Sequence, residues 1–256
     1  MTKLQITLAL ALVLSLLGVG TAMVTTIANA PPAQRELAGF STSLKGRSPG
    51  QRRNAELAAR SIDGRLIAPG ATFSFNRAVR SWSVDRGYVK ALVSYDGELV
   101  RAYGGGVCQT STTLYNAALL AGLPVVERHP HVFVPHYIAP GRDAAVAFPG
   151  IDLRFRNSTG APLRIRAHVR GDRLQVSLVG AGRAPRVSVQ TDLLSVSRPQ
   201  RLTRVMNGGQ SAPRSYLRSA GTTGYRVVTT RSLSGRRETL SDDTYPAMDR
   251  IVMLRR

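Results

Sequence analysis

Cys108 is the residue in this sequence that is best suited to nucleophilic chemistry, and it is the only cysteine among the 256 residues. It follows three glycines and a valine and precedes a segment with the apolar spacing of a helix, which we expect to begin at Gln109. A thiol at the N-terminus of a helix feels the positive end of the helix dipole, and this field favours the thiolate. We therefore predict that any chemistry is centred on Cys108.

The glycine run predicts that a substrate can approach the backbone closely. Gly105 and Gly106 carry no side chain that would block the approach. A backbone N–H at residues 106–108 can stabilise the oxyanion that forms when an acyl carbonyl is attacked. The side-chain amide of Gln109 can add a further donor. We predict that Gly105, Gly106 and Gln109 contact the substrate.

A cysteine nucleophile also needs a general base, and residues 127–131 supply two candidates, His129 and His131. His136 is a third. Further along the chain, the carboxylate of Asp143 can orient an imidazole. The guanidinium of Arg142 can hold a substrate carboxylate in a bidentate pair. The sequence thus contains every group that cysteine acyl transfer requires.

A purely structural interpretation competes with each of these assignments. A glycine turn before a helix commonly serves packing, and a single cysteine is commonly an inert apolar residue. His129 and His136 are typical of surface positions, and Asp143 can cap a turn. A phosphate-binding loop is disfavoured because the lysine of such loops is absent.

The composition limits the kinds of partner. Thirty-five lysine and arginine residues against fifteen aspartate and glutamate residues give a net charge of +20, which attracts polyanions. The basic residues are scattered and aromatic residues make up only 6%, whereas nucleic-acid-binding proteins usually concentrate both. We predict anionic wall polymers or a membrane surface as the counter-charge, and no specific nucleic acid. With no CxxC pattern and only four histidines, the sequence predicts no metal site and no cofactor.

The N-terminus predicts export. Lys3 precedes an apolar run at residues 4–19, and residues 28–30 form a small-x-small cleavage pattern. Residues 1–30 therefore indicate a signal peptide. The alternative is an uncleaved N-terminal anchor, since residues 4–27 are long enough to span a bilayer. In either case we expect the body of the protein to be extracytoplasmic, in the cell envelope.

Helices and strands alternate along the rest of the chain. A capping box at residues 48–51 begins the first helix, whose apolar stripe runs to Leu66 before a stop at residues 69–70. The second helix closes at residues 122–124. Strand-like segments are residues 72–75, 88–95, 98–103, 132–137, 144–148, 152–155, 163–169 and 174–179. We predict an α+β fold with two main helices packed on a mainly antiparallel β-sheet and a small β-rich C-terminal tail, divided into residues 31–182 and 183–256.

Several of these motifs occur together in one known family. Residues 69–76 (PGATFSFN), 104–118 (GGGVCQTSTTLYNAA), 127–131 (ERHPH) and 141–144 (GRDA) resemble the VanW domain family in order and spacing. The resemblance extends from about residue 40 to residue 180, and residues 224–227 and 243–246 also resemble the end of such proteins. Two departures, residues 80–83 (RSWS) and Val132, can alter the substrate groove.

The resemblance implies a function for the motif cysteine. Members of the family are envelope proteins, and some VanW domains are described as L,D-transpeptidases that use this cysteine. By resemblance, Cys108 is the nucleophile, His131 is its base, and peptidoglycan stem peptides are the substrate. The alternative is a non-catalytic module that binds peptidoglycan or a wall polymer through its arginine surface. Nucleic-acid binding is a third and weaker hypothesis, which requires salt-sensitive affinity for DNA.

Overall fold

The three α-helices that the structure describes have very different lengths. The computed structural model describes residues 34–95, 98–206 and 215–255. The helices in these residues are α1 (Pro49–Ile62), α2 (Phe75–Val79) and α3 (Val107–Leu120). Because α1 and α3 have 14 residues each and α2 has 5, α1 and α3 correspond to the two main helices that the sequence predicts. Together with the strands they confirm an α+β fold.

Helix α1 begins where the sequence predicts but ends one turn earlier. The Ser48 side chain accepts a hydrogen bond from the N–H of Gln51, and the Gln51 side chain accepts one from the N–H of Ser48, which completes the capping box. After Ile62 the chain turns at Gly64, whose φ of 73° is left-handed. Leu66 is 62% exposed and begins a strand, so its predicted place in the helical stripe is wrong.

Fifteen strands form five sheets within the described residues, so the single main sheet that we predicted is corrected to several. The strands are β1 (Gln34–Ser43), β2 (Leu66–Ile67), β3 (Thr72–Ser74), β4 (Lys90–Tyr95), β5 (Glu98–Tyr103), β6 (Val125–Glu127), β7 (Arg154–Arg156), β8 (Leu163–Arg170), β9 (Arg173–Ala181), β10 (Val187–Ser197), β11 (Arg201–Met206), β12 (Ser215–Thr222), β13 (Gly224–Leu233), β14 (Arg236–Tyr245) and β15 (Met248–Arg255). The sheet orders are β1-β9-β8-β2, β3-β7-β6, β4-β5, β10-β13-β14 and β11-β15-β12. Strand pairing is mainly antiparallel, as predicted, although β11 and β15 run parallel.

The predicted hairpin and the predicted central strands have different outcomes. Strands β4 and β5 pair antiparallel as expected, while the predicted turn at residues 96–97 lies outside the described residues. Residues 132–137 form bends and turns, so the strand predicted there is wrong. Pro135 cannot donate to a strand ladder, which explains part of this difference. Residues 144–148 contribute isolated bridges rather than a strand.

Helix α3 lies at the centre of the fold. It packs against α1 and against β9, and α1 packs against β8 of the same sheet. Three hydroxyls on α3 are buried and donate to backbone oxygens: Thr110 to Ala55 in α1 (2.9 Å), Ser111 to Ala144 (2.6 Å) and Thr113 to Gln109 (2.7 Å). Because a buried hydroxyl must face its partner, the bonds of Thr110 and Ser111 to residues outside the helix fix the rotation of α3 about its axis.

The C-terminal tail is β-rich, as predicted, and it contacts the end of α3. Arg231 in β13 donates from Nη1 to the carbonyl oxygens of Leu119 (3.3 Å) and Leu123 (2.8 Å). A cation is favourable at this negative end of a helix dipole, and α3 has no basic residue in its own last turn. The described residues from 35 onward form one compact unit. The domain boundary between residues 182 and 183 stays a prediction.

The segment predicted as a signal peptide or anchor, residues 1–30, lies outside the described residues. Among the helices of the described residues, none is long and apolar enough to cross a membrane. Export therefore stays a prediction of the sequence.

We expect Gly106→Ala to destabilise the fold more than Gly64→Ala. Both glycines have a left-handed φ, 109° and 73°, so alanine strains the backbone by about 1–2 kcal/mol at either position. At Gly106 an added Cβ would also lie 2.2 Å from the backbone oxygen of Gln51, whereas at Gly64 nothing lies within 4 Å. Urea denaturation of the two full-length variants measures the difference in free energy of unfolding. Equal losses would contradict the close approach of α1 to the glycine run.

Candidate functional site

The first turn of α3 carries the thiol. Gly106 is the N-cap, so Cys108 is the second residue of the helix and does not precede it as predicted. The cysteine is half-buried, and its Sγ lies 3.4 Å from the carbonyl oxygen of Val146. The first turn contains no acidic residue that would offset the helix dipole. The local field therefore favours the thiolate.

Packing against α1 and β4 explains the glycine run. A Cβ at Gly105 would lie 2.7 Å from the backbone oxygen of Leu92, and one at Gly106 would lie 2.2 Å from that of Gln51. The N–H of Val107 already donates to a carbonyl within the same turn (2.9 Å). Val107 is therefore excluded as an oxyanion donor, while substrate contact by Gly105 and Gly106 stays a prediction.

A short pairing of two loop segments brings His131 and Asp143 together. The N–H of Ala145 donates to the carbonyl oxygen of His129 at 2.8 Å, which aligns residues 129–131 with residues 143–145. Nδ1 of His131 lies 2.7 Å from Oδ2 of Asp143, and the backbone N–H of His131 donates to the same oxygen at 2.6 Å. With Nδ1 engaged by the carboxylate, Nε2 is the nitrogen left for another partner.

That partner is the thiol of Cys108, with which the imidazole of His131 forms a side-chain hydrogen bond. Burial alone would raise the pKa of the Cys108 thiol, but the hydrogen bond and charge of His131 outweigh burial, and the pKa is lowered. Burial alone would lower the pKa of His131, but Asp143 and Cys108 raise it to about 9. Both directions favour a thiolate–imidazolium pair at neutral pH. The structure thus brings Cys108, His131 and Asp143 together, and their chemical roles stay predictions.

Asp143 has no exposed side-chain surface. Its Oδ1 accepts a hydrogen bond from the hydroxyl of Tyr245 (2.5 Å) and one from Nη2 of Arg128 (3.0 Å). Burial would raise the pKa of Asp143, but the hydrogen bond and charge of His131, with the charge of Arg128, lower it. The carboxylate is therefore ionised at neutral pH, and its donors balance the cost of its burial.

Three residues of this network received no role from the sequence. Arg128 donates from Nε to the backbone oxygen of Asp143 (2.7 Å), and its Nη1 lies 2.6 Å from both carboxylate oxygens of Asp243. Asp243 and Tyr245 belong to β14. Their only sequence signal was their place in motif-like segments, residues 127–131 and 243–246. Contacts between residues more than 100 positions apart are not visible in local spacing.

The structure corrects the role predicted for Gln109. Its Nε2 donates to Oγ1 of Thr42 (3.0 Å) and to the backbone oxygen of Ser43 (2.8 Å). Its Oε1 accepts a hydrogen bond from Nε of Arg47 (3.0 Å). Because both amide hydrogens are engaged and the side chain is buried, Gln109 holds β1 against α3 and does not donate to a substrate.

The remaining candidates lie apart from the thiol. Nε of Arg142 donates to Oδ1 of Asn116 (2.7 Å), about two helical turns after the cysteine. Nε2 of His129 lies 3.1 Å from Oε1 of Glu127, and His136 is exposed. A carboxylate-binding role for Arg142 stays a prediction. In the part of the chain that the structure describes, no group of three or more His, Cys, Asp or Glu side chains could hold a metal ion.

Arg47, like Arg142, is half-buried. It contacts the residue next to Cys108 and is therefore the arginine nearer to the thiol along α3. Its Cζ lies 4.7 Å from the ring centroid of Tyr137, and its Nε bonds the residue that follows Cys108. Burial raises the pKa of Tyr137, and the charge of Cys108 raises it further, which indicates that phenol and thiol are neighbours. Burial lowers the pKa of Arg47. Among the described residues, no carboxylate forms an ion pair with Arg47.

Comparison with known proteins links this site to one family. A family model described as VanW like protein matches residues 50–179. Uncharacterized protein YoaR of Bacillus subtilis (strain 168) is 41% identical over 139 residues, which are 54% of this chain and 45% of YoaR. Vancomycin B-type resistance protein VanW of Enterococcus faecalis (strain ATCC 700802 / V583) is 38% identical over 118 residues, 44% of this chain and 42% of that protein. The matches span less than half the length of either relative.

The match contains only part of the network around Asp143. Cys108, His131 and Asp143 lie within residues 50–179, whereas Asp243 and Tyr245 lie beyond them. Among solved structures, the crystal structure of HP0197-G5 aligns with 27% of this chain and 97% of its own, at 18% identity and a TM-score of 0.16. A TM-score this low establishes no shared fold.

We expect His131→Ala to lower the alkylation rate of Cys108 by iodoacetamide about tenfold at neutral pH. The imidazole lowers the pKa of the Cys108 thiol, so its removal decreases the thiolate fraction. Mass spectrometry of the full-length protein across a pH series measures the rate. His129→Ala is the matched control, because His129 pairs with Glu127, and it should leave the rate unchanged. An unchanged rate in His131→Ala would refute the pairing of thiol and imidazole.

Proposed function

The chain belongs to the VanW-like protein family, and on that premise we propose that it is a cell-envelope cysteine acyltransferase that acts on peptidoglycan stem peptides. The observation that carries the proposal is that His131 interacts with both Asp143 and Cys108. A thiolate at a helix N-terminus, an imidazole hydrogen-bonded to it and a buried carboxylate on the far side of the imidazole are the parts of a cysteine nucleophile site.

In the proposed first step, the thiolate of Cys108 attacks the carbonyl carbon of the third stem residue. The bond from that carbon to the nitrogen of the terminal D-alanine breaks, and the imidazolium of His131 gives its proton to the leaving amine. A thioester remains on the enzyme. Asp143 holds the imidazole at Nδ1 so that Nε2 faces the reaction.

In the proposed second step, an amine on the side chain of another stem attacks the thioester. His131, now neutral, takes a proton from the amine, the new amide bond forms, and the thiolate of Cys108 leaves. The product is a cross-link between two stems. If water attacks instead, the same site is a carboxypeptidase.

Three observations support the envelope as the place of action. One relative is named as a vancomycin B-type resistance protein, and vancomycin resistance concerns the cell wall. The N-terminal residues predict export. The net charge of +20 suits anionic wall polymers or a membrane surface. The activity that we propose for the whole protein is supported by these three points and by the geometry of the site.

We further propose Arg47, in place of Arg142, as the group that binds the carboxylate of a stem peptide. Arg47 is stacked on Tyr137, which neighbours the thiol, and its partial desolvation strengthens attraction to an anion. Each arginine donates from Nε to an amide oxygen, but the partner of Arg47 is Gln109, next to Cys108, whereas the partner of Arg142 is Asn116, farther along α3. A guanidinium that is preorganised on an aromatic ring loses little entropy when it binds a carboxylate.

The net charge of +20 also favours a second candidate, a non-catalytic module that binds peptidoglycan or a wall polymer through exposed arginines. This function needs no thiolate. It predicts that binding is salt-sensitive and independent of Cys108.

We expect the full-length protein to form a thioester adduct with tetrapeptide-stem muropeptides and then a cross-linked or trimmed product. Intact-protein mass spectrometry detects the adduct, which should be absent in Cys108→Ala and present in His129→Ala. Turnover should fall as the pH rises above about 9, because His131 then loses the proton that the leaving amine requires. Muropeptide binding without adduct or product, equal in wild type and Cys108→Ala, would favour the binding module.

We expect Arg47→Ala to weaken binding of muropeptides with a free C-terminal carboxylate by about tenfold or more, since a charged hydrogen bond contributes about 1.5–3 kcal/mol. Calorimetry in the Cys108→Ala background measures this without turnover. C-terminally amidated muropeptides should bind wild type and variant alike. Arg142→Ala is the matched comparison, and a loss confined to Arg142→Ala would assign the carboxylate to Arg142.

A further inference from the structure

The support of Asp143 is divided between two distant parts of the chain. His131 and Arg128 lie within the family-matched residues 50–179, whereas Tyr245 and Asp243 are contributed by β14, beyond the match. We propose that Tyr245 and Asp243 are positioning residues of the Cys108 site, so that the β-rich C-terminal segment is part of the reactive unit and not an appended module. The proposal rests on the proposed role of Cys108 and deepens it.

Tyr245 joins the two ends of a short segment that carries the carboxylate. Its hydroxyl donates to Oδ1 of Asp143 (2.5 Å) and accepts a hydrogen bond from the N–H of Gly141 (2.9 Å). Tyr245 is 1% exposed, so water does not replace these bonds. A Cβ at Gly141 would lie 2.3 Å from Oγ1 of Thr229 in β13, which shows how closely the segment is pressed on the C-terminal strands. The hydroxyl therefore sets where Asp143 lies.

Asp243 determines how much of the charge of Arg128 reaches Asp143. Arg128 lies between two carboxylates, with Nη1 2.6 Å from both oxygens of Asp243 and Nη2 3.0 Å from Oδ1 of Asp143. All three side chains are at most 6% exposed. Because Asp243 shares the guanidinium, Arg128 does not neutralise Asp143 fully, and Oδ2 stays available to the imidazole of His131.

Loss of either group shifts Asp143 towards Arg128. Without the Tyr245 hydroxyl, Arg128 is the remaining side-chain donor to Oδ1, and the N–H of Gly141 loses its acceptor. Without the charge of Asp243, Arg128 attracts Asp143 more strongly. In both cases the carboxylate pairs less well with His131, the imidazolium loses its counter-charge, and less of Cys108 is thiolate.

The chain offers a matched control for each variant. Tyr225 in β13 lies directly across the strand pair from Tyr245, so Tyr225→Phe removes a hydroxyl from the same sheet. Asp242 precedes Asp243, is exposed and pairs with Arg226, so Asp242→Asn removes the same charge from the other face of β14.

The experiment measures iodoacetamide alkylation of Cys108 against pH in the full-length protein. We expect Tyr245→Phe and Asp243→Asn each to slow alkylation about three- to tenfold at neutral pH and to raise the pKa of the Cys108 thiol, while Tyr225→Phe and Asp242→Asn leave both unchanged. In a His131→Ala background, neither Tyr245→Phe nor Asp243→Asn should slow alkylation further, because both act through the imidazole.

Either of two other outcomes would overturn the proposal. Unchanged alkylation in Tyr245→Phe and Asp243→Asn would show that Asp143 is positioned without them. Equal effects in the control variants, or additive effects in the His131→Ala background, would indicate a general loss of structure. Because alkylation needs no muropeptide, the result stands apart from the proposed function: a protein that alkylates as expected but forms no muropeptide adduct refutes the acyltransferase and leaves the positioning role intact.

Discussion

A carboxylate with no exposed surface is the constraint on which the rest of the site depends. Asp143 accepts two hydrogen bonds at Oδ2 from His131 and two at Oδ1 from Tyr245 and Arg128. An ionised carboxylate left unpaired in the interior costs several kcal/mol. The two segments that supply the donors, residues 128–131 and β14, are therefore fixed relative to each other, and the thiol of Cys108 is positioned through the imidazole that this carboxylate holds.

The charges around this carboxylate also explain the direction of proton transfer. Arg128 is positive, and Asp143 and Asp243 are negative, so the three buried groups together carry one negative charge. Burial alone would lower the pKa of the neighbouring His131, but Asp143 and Cys108 raise it to about 9. The thiol of Cys108 is the nearby group that can supply the proton, and the dipole of α3 stabilises the thiolate that remains.

Local features of the fold could be predicted from the sequence, whereas long-range ones could not. The capping box of α1 and the antiparallel pairing of β4 with β5 depend on residues a few positions apart, and the structure confirms both. The helical stripe failed at Leu66 because a turn at Gly64 overrides apolar spacing. Gln109 was assigned to a substrate because its burial against β1 has no local signature. Asp243 and Tyr245 received no role, since only the folded chain places them beside Asp143.

The contact of Arg231 with the end of α3 restricts how this fold can change during evolution. Its guanidinium donates hydrogen bonds to the carbonyl oxygens of Leu119 and Leu123, at the opposite end of the helix from the thiol. A recombination event that exchanged the C-terminal strands would remove this cation together with Tyr245, which donates to Asp143, and Asp243, which pairs with Arg128. Only an incoming segment that places a cation and a buried hydroxyl at the same positions would keep these contacts. The two halves of the chain are therefore expected to be inherited together.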